Sequence, residues 1–228
     1  MKTDTLRQIL ESIEGKRALV LATDLETGEQ RLLREGDGRD LEERTNVQDA
    51  LRLDNAITTD STAGPRTFYQ PFNPPLRMIM VGAVHVAQPL SMMAALVGYE
   101  VTIVDPRSAF AATERFPNVG LDLRWPDQAL QALALDRRSA VVTLTHDPKL
   151  DDPALRVALR SDAFFIGCLG SAKTHAARLQ RLAKAGFSKT DLSRVHGPVG
   201  LPIGSRSPAE IAVSILAQIV QTLRKPAL

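Results

Sequence analysis

Two glycine turns, each following a short apolar run and leading into helical spacing, hold the residues of this chain best suited to chemistry. The first is Gly82-Ala83-Val84-His85-Val86-Ala87, directly after the apolar run at residues 78–81. The second is Gly167-Cys168-Leu169-Gly170-Ser171, which continues through Lys173 and Thr174 to His175. A glycine turn that opens a helix presents unpaired backbone N–H groups and the positive end of the helix dipole, the chemistry of phosphate or carboxylate binding. Asp105 closes the next apolar run 23 positions after Gly82, near the spacing of a carboxylate that accepts from a ribose 2′-OH, and Arg107 follows it.

Histidines supply a second kind of chemistry. His85 is expected in the first turn of the helix after Gly82, and His146 just past the apolar run at residues 140–145. A lone histidine is more often a packing or capping residue, but two imidazoles on one pocket can hold an anionic or metal-bearing ligand. Cys168 is expected at the carboxyl end of a strand, where a thiolate could meet a ligand or a soft metal; the alternative is a small buried hydrophobe. His196-Gly197-Pro198-Val199-Gly200 is a third glycine-bearing segment, and Arg206, between Gly204 and Ser207, could clamp a phosphate.

Other residues read as structural. Asp147, Asp151 and Asp152 invite a metal reading, but Asp152 before Pro153 makes an N-cap and N1 pair, so solvated loop acids are expected. Lys173, Arg178, Arg181 and Lys184 are expected on the solvated side of a helix whose Ala176, Leu179 and Ala183 face inward. Valine stands where a dinucleotide fingerprint has its second glycine. Its branched side chain is expected to project where a pyrophosphate would lie, so NAD binding is not expected, and Val84→Gly should strengthen dinucleotide binding by about 1–2 kcal/mol. The chain has no serine elbow, zinc-protease motif or P-loop, and no evident nucleophile–base pair. It reads as a ligand-binding domain rather than an enzyme.

The elements that must position these residues follow from periodicity. Continuous apolar runs at residues 78–81, 100–105, 140–145 and 163–168, with a weaker one at 119–123, predict strands buried on both faces of a parallel sheet. Val86, Leu90, Met93 and Val97 fall on one helical stripe, and Ser207-Pro208-Ala209-Glu210 is a capping box with proline at N1. The fold class is therefore α/β, a Rossmann-like doubly wound parallel sheet in the order 3-2-1-4-5, with a sixth strand left open, and ligands are expected at the switch point between strands 1 and 4. Residues 1–70 predict a small α+β unit, residues 71–76 a Pro-rich linker, and residues 77–228 the Rossmann-like domain.

Composition bounds the rest. With 44% hydrophobic and 24% charged residues, the chain of 228 residues is ordinary globular material. One cysteine permits no internal disulfide, no apolar run is long enough for a membrane helix, and the first seven residues do not read as a signal peptide, so a cytoplasmic address is expected. Charge is uneven: residues 1–72 carry 10 Lys and Arg against 14 Asp and Glu, net −4, and residues 73–228 carry 18 against 12, net +6. A basic main domain without a dense cationic stripe suits a small anionic ligand or acidic partner, not nucleic acid.

The chain resembles the XdhC/CoxI family of xanthine dehydrogenase accessory proteins. The resemblance rests on Phe72-Asn73-Pro74-Pro75, the Gly82–Ala87 turn, Val104-Asp105-Pro106-Arg107, Glu114-Arg115-Phe116-Pro117, residues 143–153, Gly170-Ser171 with Thr174-His175, residues 196–201 and residues 207–212. It implies a non-catalytic chaperone that transiently binds the molybdenum cofactor, as molybdopterin or its dinucleotide form. Such a chaperone protects the cofactor while a cysteine desulfurase supplies its sulfur, and passes it to an apo molybdoenzyme of the xanthine dehydrogenase class; a homodimer is left open. Residue chemistry and the resemblance together give Gly82, His85, Asp105, Arg107, His146, Gly167, Cys168, Gly170, Ser171, His175, His196 and Arg206 as the expected cofactor-binding residues, with no metal site expected. Two features depart from the family: residues 1–70 lack its glycine-serine/proline-arginine and cysteine-valine-glutamate motifs, and Val84 replaces its usual glycine. An NAD(P)-dependent oxidoreductase and a nucleotide-sensing interaction domain stand as alternatives.

Overall fold

The computed structural model describes residues 3–59 and 66–224, and the chain divides into two compact units, Met1–Pro74 and Pro75–Leu228. Met1 and Lys2, where the reading against a signal peptide begins, lie outside the described residues. Among those described, no helix is long and apolar enough to cross a membrane.

The first unit contains α1 (Thr3–Glu14), β1 (Leu19–Asp24), β2 (Gln30–Leu33), α2 (Leu41–Leu53), β3 (Ile57–Thr58) and β4 (Thr67–Phe72). Its strands form an antiparallel sheet in the order β2-β1-β4-β3. Val20, Ala22, Leu33 and Tyr69 bury against Val47 and Ala50 of α2. Asp40 caps α2 by accepting from Glu43 N, and Glu43, itself buried, accepts from Arg31 and Arg39. Although burial opposes ionisation, these partners hold the Glu43 carboxyl down at about 2. Half of the stretch expected as a linker is strand, because Pro71 and Phe72 close β4 and Leu76 opens the next strand. Pro71 sits opposite Val20.

The second unit is the Rossmann-like sheet. It contains β5 (Leu76–Val81), α3 (Ala87–Leu96), β6 (Tyr99–Val104), β7 (Gly120–Asp122), α4 (Pro126–Ala132), β8 (Ser139–Thr143), α5 (Pro148–Leu159), β9 (Phe165–Cys168), α6 (Ala172–Lys184), α7 (Lys189–Ser193), β10 (Val195–His196) and α8 (Pro208–Arg224). All six strands run parallel in the order β10-β9-β8-β5-β6-β7, which is 3-2-1-4-5-6 read from the other edge. Alternate residues of each strand feed opposite layers. Met78, Met80, Ala140, Val142 and Phe165 pack with α3 and α8 on one face. Ile79, Val81, Val141, Ile166 and Cys168 pack with α4, α5 and α6 on the other. Each fully buried aliphatic side chain contributes about 1.5–3 kcal/mol to holding these layers together.

Two helix starts differ from expectation. Helix α3 begins at Ala87, so His85 lies exposed in the turn before it rather than in its first turn. Helix α5 begins at Pro148, five residues ahead of Pro153, because Asp147 rather than Asp152 is the cap: its side chain accepts from Lys149 N at 2.9 Å. Pro153 then lies inside the helix, where it cannot donate a backbone hydrogen bond. Asp151 and Asp152, just before it, pair with Arg178 and Arg181 of α6.

Candidate functional site

Because β5, β6, β8 and β9 are parallel neighbours, the turns after them meet along one edge of the sheet. Gly82 (φ 113) runs so close to the β8 turn that a Cβ there would stand 2.5 Å from Thr145 Cγ2. Gly170 (φ 139) approaches the same turn from the other side, and a Cβ there would lie 3.5 Å from His146 Nδ1. A Cβ on Gly197 would overlap the His175 imidazole, which joins the turn after β10 to α6. Arg107 feels the charges of Asp147 and Asp151 in addition to Asp105. Gly82, Arg107, His146, Gly170, Ser171 and His175 therefore share one rim.

The first turn on that rim is filled by the protein itself. Asp105 is fully buried; its carboxylate accepts from Ala83 N at 2.9 Å and from Arg107 N, Nε and Nη2 at 3.0, 2.9 and 2.8 Å. Burial opposes its ionisation, but these donors win and lower its pKa. The acid expected on a ribose hydroxyl thus locks its own loop. Arg115 donates through Nη1 to Ala83 O at 2.9 Å and to Phe110 O at 2.6 Å, closing the far side of the turn. Val84 does not project toward a ligand either. It is half-buried against the α3–α8 layer, and its φ is negative. The steric basis for expecting Val84→Gly to strengthen dinucleotide binding is therefore not seen, since the side chain packs against that layer.

The second turn is open by comparison. Ser171 caps α6, its Oγ accepting from Thr174 N at 3.2 Å, and both Ser171 and the neighbouring His146 are exposed. His146 sits at φ 61, a left-handed conformation that costs a branched or bulky residue about 1–2 kcal/mol and is retained where the surroundings impose it. The surroundings here are a buried network. Asp147 N donates to Thr145 Oγ1 at 3.1 Å, and Thr145 Oγ1 donates to Asp151 Oδ1 at 2.6 Å. Arg178 Nη2 donates to Asp151 Oδ2 at 3.2 Å and to Leu169 O, one residue before Gly170, at 3.1 Å. One ion pair therefore braces the turns on both sides of His146.

This network corrects two expectations. Asp151 and Asp152 are buried, not solvated loop acids, and Arg178 is 1% exposed on what was expected to be a solvated face. Arg181 joins Asp152 through Nε and Nη2 at 2.6 and 2.9 Å, while Ala176 and Ala183 face solvent. Burial pushes the Asp151 carboxyl up against the pull of Thr145 and Arg178. Among the described residues, Arg178 Nε and Nη1 are buried without hydrogen-bond partners, as is His175 Nδ1. Burial lowers the pKa of His175 first, and the Arg178 charge lowers it further. No hydropathy pattern reveals a buried arginine; the available signal was the matching pairs, Asp151-Asp152 and Arg178 with Arg181.

The remaining candidates are mostly held within the protein's own packing. Cys168 is fully buried in the α4–α6 layer, and burial pushes its thiol up to about 11, so it neither meets a ligand nor reacts readily. Gly167 is buried, leaving room for Phe165 and Val199. His196 stacks on Phe165 with ring centroids 4.6 Å apart, and burial lowers its pKa. Arg206 is exposed, its backbone N–H held by Glu210 in the α8 capping box. Among the described residues no group of three or more His, Cys, Asp or Glu could hold a metal ion.

Comparison with known proteins agrees with this architecture. The XdhC Rossmann domain family matches residues 78–219. A probable xanthine dehydrogenase subunit of Bacillus subtilis is 34% identical over 161 residues, covering 70% of this chain and 47% of that protein. The molybdenum cofactor insertion chaperone PaoD of Escherichia coli is 30% identical over 148 residues, covering 65% of this chain and 40% of that protein. This chain thus spans about half the length of these relatives or less. In fold it is similar to the crystal structure of a xanthine dehydrogenase from Bacillus halodurans, with a TM-score of 0.74 and 23% identity over 97% of this chain and 67% of that one. With the family match covering most of the second unit, the chain belongs to the XdhC family, and residues 78–219 are its Rossmann domain.

Proposed function

We propose that this chain is a molybdenum cofactor chaperone: it holds the cofactor transiently at the rim around Gly170, Ser171 and His146, and releases it to an apo molybdoenzyme of the xanthine dehydrogenase class. The observation that carries the reading is the open start of α6, with Gly170 at φ 139 and His146 exposed beside it. A helix start of this kind suits the phosphate of a molybdopterin or the diphosphate of its dinucleotide form. His146 and Arg107 flank that position, and the net +6 of residues 73–228 favours an anionic cargo.

In this reading the chain positions and shields its cargo and catalyses no turnover of purines or aldehydes. Sulfur for the cofactor comes from a cysteine desulfurase acting on the bound molecule. Cys168 does not relay it, because a fully buried thiol with its pKa pushed up to about 11 supplies little thiolate at neutral pH. A cytoplasmic address is part of the same proposal. The test is to express the chain in cells that make the cofactor and identify bound small molecules by native mass spectrometry. A pterin phosphate or pterin dinucleotide is expected. Stoichiometric NAD or NADP instead would replace the chaperone reading with the oxidoreductase alternative.

A further inference from the structure

The two strands beyond the first turn end in the same device. Asp105-Pro106-Arg107 follows β6 and Asp122-Leu123-Arg124 closes β7, and the two ends lie side by side, with Asp105 N donating to Asp122 O at 3.0 Å. In each, the carboxylate accepts from N, Nε and Nη2 of the arginine two residues on, at 3.0 Å from N and 2.9 Å from Nε in both. The pairing fixes both guanidinium groups, yet 39% of the Arg107 side chain and 52% of the Arg124 side chain stay exposed. Aromatic surface accompanies each arginine. The Arg107 guanidinium lies 4.5 Å from the centre of the Phe110 ring, which is itself 44% exposed. Trp125, directly after Arg124, is 50% exposed and starts α4 without a side-chain cap. Arg115, between this edge and the Gly82 turn, differs from both: among the described residues its guanidinium donates to two carbonyls and pairs with no carboxylate.

We propose that this β6–β7 edge of the rim stacks the nucleobase of a cargo in its dinucleotide form, whose pterin end lies at the Gly170 turn. This rests on the chaperone reading above and narrows its cargo to the nucleotide-bearing form. A guanidinium already matched by a carboxylate is a poor phosphate anchor, since little net charge remains. What it still offers is a flat, weakly hydrated face, and bases stack on arginine and aromatic faces whatever their identity. Because each guanidinium is held in place before a ligand arrives, stacking on it costs little side-chain entropy. Arg115 supplies the uncompensated charge that the edge lacks, and so suits the diphosphate. The spacing agrees. In the order β9-β8-β5-β6, three strand intervals, about 14 Å, separate the Gly170 turn from the end of β6. One phosphate cannot occupy both places, whereas a molecule with a pterin at one end and a nucleotide at the other has a group for each. The base then rests on the paired arginines, and Asp105, its carboxylate already taken, makes no ribose contact.

Trp125 is the only tryptophan of the chain, so intrinsic fluorescence reports on this edge alone. The full chain would be titrated with cytidine, guanosine and adenosine diphosphates, and with inorganic pyrophosphate as a probe that lacks a base. Saturable quenching by at least one nucleoside diphosphate, and none by pyrophosphate, is expected. In isothermal titration, Phe110→Ala and Arg124→Ala, both at exposed positions and so compatible with folding, should each weaken that nucleotide at least fivefold. Lys189→Glu on α7, which leads into the start of β10 at the opposite end of the strands, should leave its affinity unchanged. The proposal is overturned if none of the three nucleotides quenches saturably at millimolar concentration, if pyrophosphate gives the same response, or if binding survives both alanine substitutions. A chain that retains a pterin phosphate but ignores nucleotides keeps the chaperone reading and loses this one. Nucleotide binding by a chain that carries no pterin keeps the stacking edge and removes the pterin cargo.

Discussion

At the Gly82 turn, Asp105 takes the Ala83 N–H, Arg107 takes the Asp105 carboxylate and Arg115 takes the Ala83 carbonyl. At the Gly170 turn, Ser171 caps α6, Arg178 takes the Leu169 carbonyl, and His146 stays exposed in a left-handed conformation alongside. Both are glycine turns between a parallel strand and a helix, yet the first has its Ala83 groups taken by its own side chains and the second leaves Ser171 and His146 exposed. A glycine turn is thus a binding site only to the extent that its donors remain available. In this domain the open end of the rim lies beyond the usual dinucleotide position, at the turn after β9.

Removing the brace between the turns should have the largest effect. Arg178→Ala leaves Asp151 buried without its counter-charge, which should cost about 4 kcal/mol of stability in a denaturant titration. Gly82→Ala is next. It places a Cβ 2.5 Å from the braced Thr145 at a backbone conformation suited to glycine, for a loss of about 3 kcal/mol. Gly170→Ala meets only Thr174 and His146 side-chain atoms at 3.3–3.5 Å and should cost less, about 1–2 kcal/mol. The reverse order would show that the second turn, not the first, is the tightly filled one.

A smaller effect has the opposite sign. His146→Gly removes the left-handed strain and should raise stability by about 1 kcal/mol, the pattern of a residue kept for binding rather than folding. The smallest effect is a pH dependence. Burial lowers the pKa values of His175 and His196 from 6.5, so the unfolded chain takes up their protons first as pH falls. Stability should therefore decline from pH 6.5 down to the depressed folded pKa values and should not decline through these groups above 6.5. Thermal midpoints across that range would show it, and the His175→Gln, His196→Gln double variant should flatten the slope.

Much of the scaffold is legible in the sequence because its physics is local. Continuous apolar runs at residues 78–81 and 140–145 have one stable use, strands covered on both faces, and right-handed crossovers then fix their order. The same holds for the capping box at Ser207 and Glu210, which reports a helix start within four residues. Side-chain direction and pairing across distance are not legible in this way. The place of Asp105 just past a strand end can be read, but Arg107 shows only as its neighbour, not as the group that closes it. Arg178 lies 27 positions from Asp151, and charge in a helix predicts solvent until a partner is found. Asp147 and Asp152 each precede a proline, so the local capping rule cannot choose between two valid starts.

The most direct test of the open turn compares cofactor retention between the two turns. Wild type, His146→Gly, Gly170→Ala and Val84→Gly would be purified from cells that make molybdenum cofactor, and bound pterin would be oxidised and measured by fluorescence. Pterin is expected on the wild type and on folded Val84→Gly, with a loss of about tenfold or more in His146→Gly and Gly170→Ala, equivalent to about 1.4 kcal/mol or more. Retention that falls with Val84→Gly and is untouched by the His146 and Gly170 substitutions would place the cargo at the first turn and contradict an open, cargo-holding second turn.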